Sequence, residues 1–314
     1  MSPDPIQPLP SVDGWPSVSV VLPTHNRPEP LAVAVRAILE QAYPGIIECL
    51  IVFDRQEPER PAVEVPEGRE LRLLTNQRTP GPAGGYNTGA LAARGEFVAI
   101  CDDDDEWLPD KTRRQIEAFR RHPQASMATS GTYIVTQRAH RRVPSKELLS
   151  VEDVILTPRN VLHSSTLMVR REDFLTRIGL IDEDIPGSYA EDLEWMVRAA
   201  RVGPLVAVTD PLVRISFQYS GFGRRWDLVA EALPYLLNRI PEYQRVPRSL
   251  SKVYGRMAFA HAALGHPREA RRLARRSLEL NWRQPLGFLA IAVSLRLVSS
   301  DAVVRLANTT GRGI

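Results

Sequence analysis

The chain has 314 residues, of which 43% are hydrophobic and 25% charged. That is enough apolar material for a sizeable core, and it excludes a disordered tail. Lys+Arg of 40 against Asp+Glu of 37 leaves a net charge of only +3. The signs are unevenly placed, with acids crowding residues 102–110 and 182–194 and arginines crowding 268–276. An acidic site in the first two-thirds and a basic strip in the last third follow from that placement. The basic strip is read as a solvated helix face, with membrane or nucleic-acid contact the minority reading, and no nucleic-acid partner is expected.

Residues 1–16 are Pro-rich, polar and without periodicity, and are read as a disordered leader without the features of a secretory signal. The fold is expected to start at Ser17. Val18 to Leu22 is a β-branched strand, followed by a helix over Pro30 to Gln41. Ile46–Phe53, Leu71–Thr75 and Phe97–Cys101 are further buried strands, with a Gly-rich turn and helix between the last two. Cys49 and Cys101 fall inside these apolar runs and are read as reduced core residues, which favours the cytosol. Strands alternating with helices predict an α/β fold with a mostly parallel, doubly wound sheet. In such a sheet the ligand lies beyond the carboxyl ends of the strands. The polar clusters Thr24-His25-Asn26-Arg27, Asp54 and Asp102 to Asp105 all follow strands.

A helix over Lys111–Arg121, strand-like pieces at Met127–Val135 and Leu167–Val169, and a helix over Glu191–Arg201 complete a domain spanning 17–220. From 221 to 314 nearly every segment is helical. Met257 to Asn281 has the small and aromatic spacing of one tetratricopeptide-like helix–turn–helix. One such unit cannot bury its own face, so it is expected to pack on the catalytic domain or to form a homodimer. Peripheral contact with anionic lipid, through Arg268, Arg271, Arg272, Arg275 and Arg276 alongside Leu286–Val298, is the second reading. The longest apolar stretch, Leu286 to Leu295, is too short to span a bilayer.

Four successive aspartates, Asp102 to Asp105, at the end of a buried strand repel one another unless a cation is present. A hard divalent ion, Mg²⁺ or Mn²⁺, takes one or two carboxylates plus substrate phosphates, so the cluster is suited to a metal bridging to a nucleotide diphosphate. The alternative is a solvated acidic turn capping the helix that follows. Glu191-Asp192 opens a helix, where a carboxylate serves as a cap or as a general base.

Pro23-Thr24-His25-Asn26-Arg27, Asp54, Gly84-Gly85-Tyr86-Asn87-Thr88-Gly89, Asp102-x-Asp104-Asp105-x-Trp107-Leu-Pro-Asp-Lys111 and Glu191-Asp192 resemble, in order and spacing, the family 2 glycosyltransferases of the GT-A fold. The resemblance covers residues 17 to 220. It implies an inverting transferase that moves a sugar from a nucleotide-diphosphate donor, a UDP-sugar by preference, to an acceptor hydroxyl. Pro23, Thr24 and Arg27 would line the nucleotide pocket, Asp54 would meet the base, Asn87 would lie near the sugar diphosphate, Asp102 would hold the ribose or donor sugar, and Asp103 would join them in binding the nucleotide sugar. By the same resemblance Asp104 would bind Mn²⁺ or Mg²⁺, Asp192, with Glu191 beside it, would be the catalytic base, and His163, Ser164 and Trp107 would approach donor and acceptor. It also implies a bacterial, cytoplasmic enzyme, with the inner face of the membrane as a second location. The acceptor would be a growing polysaccharide or a glycolipid on a lipid carrier, then a small-molecule aglycone, then a peptide.

Three positions depart from the family pattern. Tyr86 stands where many relatives have Arg, which shifts diphosphate neutralisation to Arg78. A late metal-ligating His is replaced by Ile215-Ser-Phe-Gln218-Tyr, with Gln218 as the substitute, and the segment after Asp54 lacks the usual Gly-Ser-Thr-Asp turn. Two other classes compete. A nucleotidyltransferase would need a Gly-rich loop after the first strand, and Thr24-His25-Asn26-Arg27 has no glycine. A non-catalytic scaffold would have no need of intact Asp104 and Asp192.

Overall fold

The computed structural model describes residues 7–135, 139–157, 161–216 and 225–309. They fall into two compact units, Met1–Glu183 with Ala190–Tyr219, and Asp184–Tyr189 with Ser220–Ile314. The expected boundary at 220/221 lies outside the described residues, and the grouping of 184–189 with the helical unit has no signal in the sequence.

The first unit runs β1 (Val18–Thr24), α1 (Pro28–Leu39), β2 (Ile47–Phe53), β3 (Arg69–Thr75), α2 (Pro82–Ala92) and β4 (Phe97–Ile100). It continues through β5 (Glu106–Trp107), α3 (Lys111–Arg121), β6 (Met127–Val135), β7 (Ala139–Arg142), β8 (Leu148–Leu149) and α4 (Val151–Leu156). β9 (Met168–Arg170), α5 (Arg171–Leu175), α6 (Glu191–Val202) and β10 (Leu205–Ser216) close it. The sheet order is β3-β2-β1-β4-β9-β6-β10-β5, with β7 on β6 and β8 on β10. β1 pairs in parallel with β2 and β4, β2 with β3, and β6 with β10. The α/β class expected from the alternating elements is therefore the observed one. One difference is that β9 runs antiparallel to both β4 and β6, joining the two parallel halves. The chain order reverses beside β1, where β2 and β4 flank it, so a crevice opens beyond the carboxyl ends of β1 and β4.

β1 and β2 are continuous apolar runs because helices cover both faces. Glu48 is the exception: its carboxylate is fully buried and accepts from Ser19 Oγ (2.5 Å), Arg72 Nη1 (2.6 Å) and Arg94 Nε (2.7 Å). The glycines at 84, 85 and 89 belong to helix α2 rather than to a turn. A Cβ at Gly89 would stand 2.2 Å from Val21 Cγ1, and one at Gly85 2.7 Å from Pro23 Cβ. Close approach of α2 to β1 overrides the poor helix propensity of glycine.

The described part of the leader is tied to the domain by a few contacts, although residues 7, 8 and 10–14 stay exposed. Leu9 N–H donates to Arg94 O, the Trp15 ring meets Tyr43 edge-on at 5.5 Å, and Arg120 stacks over the indole. One half-buried aromatic, Trp15, anchors a segment that its prolines alone would leave extended.

Lys111, at the start of α3, is completely buried, with its ammonium 3.6 Å over the Trp107 ring and 2.8 Å from Gln115 Oε1. Burial pushes its pKa down to about 7. An unfolded lysine still holds its proton up to about pH 10.5, so the unfolded state binds more protons between those values and stability rises with pH across them. Lys111→Met is therefore expected to stabilise the fold by on the order of a few kcal/mol at pH 7, and by much less at pH 10. Urea unfolding at the two pH values measures this, and an equal effect at both would refute the burial argument.

The second unit is helical: α7 (Trp226–Arg239), α8 (Pro247–Ala263), α9 (Pro267–Leu280), α10 (Pro285–Ser294) and α11 (Ser300–Thr309). α8 and α9 form the expected helix–turn–helix, turning at Gly265 (φ +77°) and crossing at reciprocal Ser251 and Ser277 hydrogen bonds of 2.8 and 2.7 Å. Trp226 of α7 meets Phe259 of α8 edge-on, and α10 lies on both α8 and α9, where Gly255 and Gly287 let side chains approach. Among the described residues, no helix is long and apolar enough to cross a membrane.

Candidate active site

The four aspartates after β4 are folded by a turn in which Asp105 N–H donates to Asp102 O at 3.3 Å. The turn splits the carboxylates into two pairs. Asp103 and Asp104 face the end of β1: Thr24 Oγ1 donates to Asp103 at 2.7 Å, and Arg27 Nη1 reaches Asp103 at 3.1 Å and Asp104 at 3.3 Å. Asp102 and Asp105 face the short 3₁₀ turn Ser164–Thr166. Ser164 Oγ donates to Asp102 at 2.9 Å, Ser165 Oγ donates to Asp105 at 2.5 Å, and Asp102 N–H donates to Ser165 Oγ at 2.9 Å. The Tyr86 hydroxyl donates to the other oxygen of Asp102.

His163 completes this second pair. Its Nδ1 is 3.4 Å from Asp105 and its Nε2 is 4.0 Å from Asp102. One ligand atom each from Asp102, Asp105 and His163 lie within 4.8 Å of one another. Asp104, expected to be the metal ligand, stands outside that group beside Arg27. Asp105 belongs to the acidic motif but has no metal role in the sequence reading, because nothing local shows which of four adjacent carboxylates turns toward a loop sixty residues away.

Crowding raises the carboxylate pKa values. Burial, then the charges of Asp102 and Asp103, lift Asp104 to about 7 against the opposing pull of Arg27. Burial and Asp102 push Asp105 well above the usual range, and burial raises Asp103 less strongly. Tyr86 is also raised, by burial, by Asp102 and by a smaller effect of Glu191. A cation would relieve this crowding. Asp192, in the first turn of α6, is nearly buried and accepts from Leu193 N–H at 2.8 Å. Ala190, with left-handed backbone (φ +65°), turns the chain into that helix.

The remaining expected residues divide. Asp54 lies at the end of β2, accepting from Arg55 (2.9 Å), Asn76 (2.9 Å) and Gly81 N–H (3.2 Å), and Pro23 packs under Gly85. Arg78 is paired with Glu183 at 2.5 Å rather than standing free for a diphosphate. Asn87 is fully buried and clasps the 181–183 segment, donating to Ile181 O and to Glu183, and accepting from Ile181 N–H. Trp107 is buried beneath Lys111 instead of reaching toward a substrate. Gln218 lies outside the described residues. Gln115, not foreseen, is fully buried and donates to Thr166 O at 2.6 Å, while Thr166 Oγ1 donates to His163 O at 2.6 Å. Helix α3 thereby fixes the turn that carries His163.

Residues 19–177 match the sequence profile of Glycosyl transferase family 2. The chain belongs to that family. Among curated relatives, it is 35% identical over 111 residues to the succinoglycan biosynthesis protein ExoO of Rhizobium meliloti, covering 34% of this chain and 31% of that protein. It is 32% identical over 101 residues to the Escherichia coli UDP-Glc:alpha-D-GlcNAc-diphosphoundecaprenol beta-1,3-glucosyltransferase WfgD, covering 32% and 39%. These matches span about a third of the relatives' length. Staphylococcus aureus TarS 1-349, solved in complex with UDP-GlcNAc, superposes with a TM-score of 0.57 over 88% of this chain and 90% of that one, at 13% identity. The family 2 fold implied by the motifs is thus the fold of this chain.

Proposed function

We propose that this family 2 enzyme transfers a sugar, with inversion, from a UDP-sugar to an acceptor hydroxyl in polysaccharide or glycolipid synthesis. The observation that carries the reading is the split aspartate cluster at the switch point of the sheet. One pair is tied to the β1 end through Thr24 and Arg27, and the other is grouped with His163. The succinoglycan role of ExoO and the lipid-linked acceptor of WfgD support the acceptor class, and the TarS complex supports the uridine nucleotide.

In this reading Thr24, Arg27 and Asp54 bind and orient the nucleotide beyond β1 and β2. The donor set of two carboxylates and an imidazole fits a divalent cation, and the imidazole favours Mn²⁺ over Mg²⁺. Asp102, Asp105 and His163 would hold it, with Asp104 beside them, and when bound it would offset charge building on the leaving diphosphate. Asp192 takes the proton from the acceptor hydroxyl as the oxygen attacks the anomeric carbon directly, so the configuration inverts.

Calorimetric titration of UDP, GDP and dTDP, with and without Mn²⁺, tests the proposal on the parent, Asp102→Asn and Asp104→Asn. Mn²⁺-dependent binding of UDP alone, lost in Asp102→Asn, is the expected result. Loss in Asp104→Asn but not in Asp102→Asn would return the metal to Asp104. Binding of none of the three nucleotides would overturn the transferase reading.

A further inference from the structure

Helix α10 is apolar on every side, yet among its described residues only Gly287, Ala290 and Val293 are buried, on the stripe that meets α8 and α9. On the opposite stripe Phe288 and Leu295, seven residues apart, are 54% and 51% exposed. The turn that follows adds Leu297 at 73% and Val298, and Trp282 stands ahead of the helix at 69%. Soluble proteins rarely leave so many large apolar side chains exposed on one short segment without a partner.

Within the segment itself the charges have one sign, Glu279 and Asp301 standing just outside it. No Asp or Glu occurs from Leu280 to Ser300, while Arg283 and Arg296 bracket α10. A groove of about 780 Å³ beside the helix start is lined by Arg248, Lys252 and Arg283, with no carboxylate among its lining residues. Ten residues of helix rise about 15 Å, half the thickness of a bilayer core, so such an element lies in the interface instead of crossing it.

We infer that α10 and the turn after it seat this protein on an anionic bilayer surface. Phe288, Leu295, Leu297 and Val298 enter the acyl boundary, the Trp282 indole sits at headgroup level, and Arg248, Lys252, Arg283 and Arg296 meet lipid phosphates. A second copy fits less well. A symmetric contact on this face would set these cations against their own copies, with no acid in the segment to pair with them.

Flotation of the full chain with vesicles of phosphatidylcholine, alone or with phosphatidylglycerol, tests the inference. Binding to the anionic vesicles is expected to exceed binding to neutral ones by about tenfold or more, and to weaken with salt. Phe288→Ser with Leu295→Ser, and separately Arg283→Glu with Arg296→Glu, should each lower it by about tenfold or more. All four side chains are exposed, so circular dichroism and UDP binding should be unchanged; retained UDP binding keeps a membrane result separate from the donor assignment. No vesicle binding by the parent, or binding that neither double variant weakens, overturns the inference. A concentration-dependent dimer that the serine variant dissociates, without vesicle binding, assigns the face to a second copy instead.

Discussion

Asp192→Asn should lower the rate of sugar transfer by roughly 10²–10⁴-fold while leaving nucleotide affinity unchanged. Asparagine keeps the shape of the side chain and the oxygen that accepts from Leu193 N–H inside the first turn of α6. What it lacks is a basic oxygen able to take a proton from the acceptor. Single-turnover transfer with a fixed UDP-sugar, beside a UDP titration, separates the two effects. Loss of UDP affinity in parallel with rate would show that Asp192 organises the donor site instead. A parental rate would pass the base role to Glu191, and Glu191→Gln would then show the large loss.

The second large effect lies away from the crevice, at Glu48. Burial alone would raise its pKa, yet hydrogen bonds from Ser19, Arg72 and Arg94 outweigh it and hold the carboxyl below the usual range. Glu48→Ala removes the anion and leaves two guanidinium groups beside a buried void. Breaking a buried ion pair from one side costs about 3–5 kcal/mol. Both arginines keep about a third of their surface in water, so the lower end, about 3 kcal/mol, is expected by urea unfolding at pH 7. A lowered carboxyl pKa contributes stability above the unfolded value near 4.5 and loses it as pH falls through the folded value. The gap between parent and variant should therefore persist from neutral pH to about 4.5 and narrow only below it. A gap that narrows already at pH 6 would mean that the charge of Glu48 is not what is lost.

Much of this was legible in the sequence for identifiable reasons. β1, β2 and β4 are short β-branched runs bounded by polar or proline punctuation, and their burial on both faces leaves no competing pattern. Helix α3 spans the expected Lys111–Arg121, its arginines set against a buried stripe of Thr112, Gln115, Ile116 and Phe119. The glycines of α2 were read partly as a turn, because local propensity is silent about a helix whose backbone must press onto Val21 and Pro23. β9 is three residues long and takes its direction from neighbours 70 residues before it and 40 before it, so nothing in Met168–Arg170 announces an antiparallel strand. The aspartate run advertised a site but not its internal geometry. Which carboxylate faces Arg27 and which faces His163 is decided by a tight turn and by two serines from a distant loop. Arg78 looked free for the same reason, since its partner Glu183 lies 105 residues away.

The Asn87 clasp couples two parts of the chain that function would otherwise treat separately. Its amide holds the 181–183 segment, a few residues ahead of the catalytic-helix candidate, onto the helix that carries Tyr86, and Glu183 extends the same knot to Arg78. Tyr86 in turn touches Asp102. On the roles proposed for Asp102 and Asp192, the donor site and the acceptor base would be mechanically linked: a substitution that re-shapes one side of this knot should disturb the other, and a change at Asn87 should need a compensating change at Glu183.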